Sequence, residues 1–76
     1  MADGLPAGLA LIADIEESGE LDGYYLLPAT RADLLRRLGR LDDAAASYRE
    51  ALSLAPTAAE RRYLSYRLTG VEARNP

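Results

Sequence analysis

Apolar residues recur along this chain at helical spacing, in four stretches separated by short breaks that carry glycine, aspartate or proline. The first is predicted from about Pro6 to Ser18, with the proline in the opening turn, where its missing amide hydrogen costs nothing, and Gly19 as the stop. Leu5, Leu9 and Ile12 share one face of it, whereas Leu11 and Ile15 lie roughly 200 to 240° around at about 100° per residue. A helix apolar on two sides asks for two neighbours, and the following segment supplies only one. The alternative is that Leu11 and Ile15 are scattered exposed residues of the ordinary kind.

The second helix is predicted from Gly23 to Leu38 with Asp22 as N-cap, and Tyr24, Leu27, Leu34, Leu35 and Leu38 form its apolar stripe. Pro28 interrupts it early, so the helix either kinks there, the favoured reading, or begins late after a tight turn through Tyr24 to Leu27. The third is expected from an Asp42 cap to about Leu54, with Ala44, Ala45, Tyr48, Ala51, Leu52 and Ala55 inward. Thr57 to Glu60 reads as a capping box opening a fourth helix that ends near Thr69, capped by Gly70. Tyr63, Leu64, Leu68 and Val71 are its expected inner face. These spacings predict an all-α chain of four antiparallel helices over residues 1–71 and a disordered tail over 72–76.

Composition narrows the chemistry. The chain has 76 residues, a formal net charge of −3, no cysteine and no histidine; all nine basic residues are arginine. Disulfide, thiolate–metal and imidazole chemistry are therefore closed to it, and no lysine amine exists for Schiff-base catalysis. No enzymatic activity, cofactor or metal is expected. The acidic balance argues against direct nucleic-acid binding, and no run of apolar residues is long enough for a membrane span, so the expected compartment is the cytoplasm.

Ala32, Gly39, Ala44, Tyr48, Ala51 and Pro56 stand at the small, aromatic and helix-ending positions of a tetratricopeptide hairpin, which the chain thus resembles. A second copy is faintly visible, because Gly8 and Ile12 precede Ala44 and Tyr48 by 36 residues, close to the 34-residue repeat. On that register the chain begins in mid-repeat. Its first helix is the second arm of a hairpin whose first arm is missing, and the whole reads as tetratricopeptide-like hairpins in a short superhelical stack, a fragment of a longer protein in which Met1 need not be the natural start.

Three stretches carry a more specific likeness: Ala7 to Leu11, Leu21-Asp22-Gly23-Tyr24, and Thr30-Arg31-Ala32-Asp33-Leu34-Leu35-Arg36-Arg37-Leu38-Gly39-Arg40. With Ala44 to Leu52 and Ala59 to Leu64 they resemble the C-terminal tetratricopeptide-type extension of bacterial extracytoplasmic-function RNA polymerase sigma factors. The resemblance implies a non-enzymatic regulatory module whose protein partners are the sigma core regions, RNA polymerase or a regulator, with Asp22, Gly23 and Tyr24 matching the hallmark motif. Pro28 departs from the larger aromatic or polar residue many repeats carry there. The promoter-binding regions of that family lie upstream of such an extension.

Candidate partner-binding residues are Asp22, Gly23, Tyr24, Tyr25, Arg31, Leu11 and Ile15. Tyr24 is expected inward and Tyr25 toward solvent or a groove, where an exposed ring beside charge makes a good anchor; the alternative is that both rings pack against the first and third helices. Arg31 falls within the apolar stripe of the second helix. It either pairs with a carboxylate, from this module or from a partner, or lays its stem over apolar neighbours and reaches water. Leu11 and Ile15 offer a rival function, a free-standing self-association domain forming a symmetric homodimer. The acidic group Glu16, Glu17, Glu20 and Asp22 lacks calcium-loop spacing, and Arg36, Arg37 and Arg40 sit among aspartates in structural roles.

Overall fold

The computed structural model describes residues 4–19 and 23–74 and contains, among them, only helices: α1 (Gly4–Ser18), α2 (Leu26–Arg37), α3 (Leu41–Leu54) and α4 (Ala58–Arg74). They follow one another as antiparallel arms, with α1 against α2, α2 against α3 and α3 against α4. The result is an all-α, tetratricopeptide-like stack, 30 × 30 × 17 Å. Leu5 and the cap residue Asp22 carry expectations that lie outside the described side chains or residues, as do Glu20, Leu21, Asn75 and Pro76.

Small residues let the helices approach. Ala32, Ala44 and Ala51 are wholly buried, Tyr48 fills the space between them at 1% exposure, and Leu64 and Val71 close the core from α4. An extra methylene at any of these alanines would overpack the contact by about 1–3 kcal/mol. Gly8 plays the same part between α1 and α2, since a Cβ there would stand 3.2 Å from Leu34 Cδ1.

The α2–α3 turn is a Schellman stop. Gly39 takes φ +80°, the Gly39 amide donates to the Arg36 carbonyl at 3.0 Å and the Arg40 amide to the Leu35 carbonyl at 2.9 Å. At the other end of α3, Ala55 is extended (φ −66°, ψ 127°), as the residue before a proline must be to avoid its ring, and Pro56 leads to the Thr57 cap. The Glu60 amide donates to Thr57 Oγ1 at 3.3 Å. The Glu60 carboxylate reaches back in turn, accepting the Thr57 hydroxyl at 2.5 Å and a hydrogen bond from the Thr57 backbone, the reciprocal arrangement of a capping box.

Several expected boundaries move. Helix α2 starts late, not at Gly23 with a kink: the Leu27 amide donates to the Tyr24 carbonyl at 3.1 Å, Tyr25 is the N-cap, and Pro28 is the third helical residue. In a first turn proline gives up no intrahelical bond, so nothing is left to kink. Helix α3 begins at Leu41 with Arg40 as N-cap, which places Asp42 and Asp43 in the first turn, beside the positive end of the helix dipole. Helix α4 runs through Gly70 to Arg74, because stopping at Thr69 would forfeit Val71, which is 1% exposed. Arg49 of α3 pairs with Glu72, so residues 72–74 are helical and docked. Tyr63, expected inward, is 53% exposed and lies under the Arg67 guanidinium, 5.5 Å from the ring centroid.

Candidate functional site

Arg31 sits near the middle of α2, one turn beyond Leu27 and one before Leu35, where the inner stripe passes between α1 and α3. Its guanidinium has a partner on each side. Nε donates to Ser47 Oγ at 2.9 Å, one terminal nitrogen donates to Glu16 of α1, and the other to Glu50 Oε1 of α3 at 2.6 Å. Burial alone would lower the affinity of the guanidinium for its proton, but the Glu16 and Glu50 carboxylates outweigh it and the net shift is upward. The expected carboxylate partner thus comes from this module itself. Ser47, buried at 5%, is the member that helical periodicity did not single out; its only signal was a polar residue among the inward alanines of α3.

The two tyrosines exchange the positions expected of them. Tyr25 packs against the core, while Tyr24 is 45% exposed, its ring held edge-on to Tyr25 at 6.0 Å and 80°. The late start of α2 causes this, because Tyr24 falls in the turn and Tyr25 at the cap, rotated toward α4. There the Glu60 carboxylate, by hydrogen bonding first and then together with burial and its charge, pushes the Tyr25 phenol up to about 12. Glu60 is in turn held below the ordinary carboxylate range by Thr57 and Tyr25. Gly23 precedes the pair with φ +81°, a conformation that suits glycine and aims the turn outward. Tyr24 closes a small cleft with Glu16, Gly23, Leu27, Pro28, Glu50 and Leu54.

The remaining candidates are scattered. Leu11 is 60% exposed, whereas Ile15, on the same side of α1, is half-buried. Arg36 and Arg37 both pair with Asp33, and Arg40 pairs with Asp43 at 2.7 Å, so the arginines at the end of α2 serve local ion pairs. Among the described residues no group of three or more ligating side chains could hold a metal. A second cleft, which sequence reasoning did not identify, has a volume of about 280 Å³. It lies between α2 and the C-terminal half of α4, with Arg36, Tyr66, Arg67 and Arg74 on its walls.

Residues 29–58 match the tetratricopeptide repeat family model, a span that opens in α2, takes in all of α3 and closes at the first residue of α4. The chain therefore carries a tetratricopeptide-like helical repeat, a fold that generally mediates protein–protein interaction. No curated protein and no solved structure matches the chain. Among the described residues no helix is long and apolar enough to cross a membrane.

Proposed function

We propose that the chain is a non-enzymatic, cytoplasmic regulatory module, the tetratricopeptide-like extension of a bacterial extracytoplasmic-function sigma factor, which docks on the sigma core regions, on RNA polymerase or on a regulator of either. The motif resemblance through Asp22-Gly23-Tyr24 and Arg31 to Arg40 supports the family. The observation that carries a docking role is Tyr24: a large ring left 45% exposed, yet fixed in orientation by its edge contact with the packed Tyr25. A rigid aromatic at the surface loses little entropy when a partner covers it, and such residues dominate binding energy at interfaces. Arg31, its donors already engaged by Glu16, Ser47 and Glu50, supports the site by holding α1 and α3 around the same cleft.

Titration calorimetry of the chain against purified sigma core regions, and separately against core RNA polymerase, tests this. Tyr24→Ala should weaken the contact by about 2 kcal/mol, on the order of thirtyfold in affinity, with an unchanged melting temperature. Equal affinity for the two forms, or no heat with any of these partners, would overturn the reading.

A further inference from the structure

The two ends of the stack are unlike each other. At the front, α1 packs on α2 through Gly8 and Ile12 and turns Ala7, Ala10, Leu11, Asp14 and Glu17 to solvent. At the back, α4 packs on α3 through Leu64 and Val71 and exposes Ala58, Arg62, Ser65, Tyr66, Thr69 and Ala73, with Tyr66 at 74%. By repeat register α1 corresponds to α3 and α4 corresponds to α2, the two kinds of arm that pair within the α2–α3 hairpin. Each end thus displays the kind of helix that pairs with the kind at the other end.

Charge agrees with that pairing. Helix α1 has three acidic residues and no basic one, and only Glu16 is consumed, by Arg31. Helix α4 has four arginines against two glutamates. Among the described residues, none of Asp14, Glu17, Arg61 and Arg62 has an ion-pair partner.

We propose that the chain associates head to tail, α1 of one copy docking antiparallel on α4 of the next, so that a hairpin is completed between molecules. The α2–α3 hairpin supplies the register, since Arg31 contacts Ser47 and Glu50. Moving α2 forward by the 34-residue repeat and α3 back by 36 residues sets Ser65 against Leu11 and Asp14 of the partner copy. One turn further, Arg61 and Arg62 then meet Asp14 and Glu17. The contact is heterologous, so every added copy leaves one free face at each end and growth is not closed at two.

Sedimentation equilibrium of the 76-residue chain from micromolar to millimolar concentration reads this directly. The average mass should climb past twice the 8.2 kDa monomer without a plateau. Asp14→Arg with Glu17→Arg puts like charge on both ends and should abolish the rise, as should Arg61→Glu with Arg62→Glu in a separate variant. Mixed in equal amounts, the two variants should recover it, because each α1 then meets an α4 of opposite sign. A monomer at every concentration, or a plateau at two copies that survives the α4 reversal, would overturn the proposal; the latter would mark a symmetric dimer through Leu11.

Discussion

Arg31 and Ser47 are sixteen residues apart and belong to different helices, yet the guanidinium Nε donates to the serine hydroxyl at 2.9 Å. The same guanidinium holds Glu16 and Glu50, so one side chain joins three of the four helices. With 23% of its side chain exposed, it is shielded enough for these bonds to count and open enough that its desolvation stays modest. The α1–α2 contact is otherwise built on few large side chains, which makes this arginine the main polar tie between α1 and the repeat.

Arg31→Leu should therefore destabilise the fold despite adding an apolar residue to an apolar stripe. It leaves Glu16 facing a half-buried site and Ser47 without its donor, a loss of about 2 kcal/mol. For a domain of this size that lowers Tm by on the order of 10 °C, measured by circular dichroism. A rise in Tm would mean that the three bonds contribute nothing net.

Gly70 was expected to stop α4 and instead lies inside it, with nothing within 4 Å of the place a Cβ would occupy. Gly70→Ala should stabilise the chain by up to about 1 kcal/mol, since alanine loses less backbone freedom in a helix and meets no obstacle here. Urea denaturation, with the midpoint raised at unchanged slope, checks this.

Thr57 accepts the Glu60 amide and donates its hydroxyl to the Glu60 carboxylate. Thr57→Ala removes both and should cost about 1 kcal/mol. The loss should appear as a lower urea midpoint and as faster amide exchange in the first turn of α4.

Tyr25 makes stability depend on alkaline pH. Its phenol is raised from 10.0 to about 12 in the folded chain, so folding favours the neutral form. That contribution is whole below pH 10 and is lost as pH rises through about 12. Chemical denaturation between those values should show stability falling, and Tyr25→Phe should flatten the fall. An unchanged slope in the phenylalanine variant would place the titration elsewhere.

How far the chain could be read in advance differs from helix to helix. Helix α3 was legible almost residue by residue, because Ala44, Ala45, Tyr48 and Ala51 recur at one period and all turn out buried. Helix α2 misled at its start: Asp22 is a good cap chemically, and the tyrosine pair looked helical, but a proline three residues into the helix allows two geometries that local preference does not separate. Of the candidate site, the exposure of Leu11 followed from its angle on α1, whereas the exchange of Tyr24 and Tyr25 did not, since it depends on where α2 begins.

Short-range chemistry determined that this chain makes helices, where small residues allow two of them to touch, and that Gly39 and Pro56 separate the arms; each of these follows from backbone freedom and side-chain volume within a few residues. What Arg31 binds, why α4 continues past Gly70 to seat Val71, and which faces of α1 and α4 are left open were decided only by the assembled structure. Those outcomes depend on groups far apart in the chain, and the energy that selects them does not exist until the helices are packed.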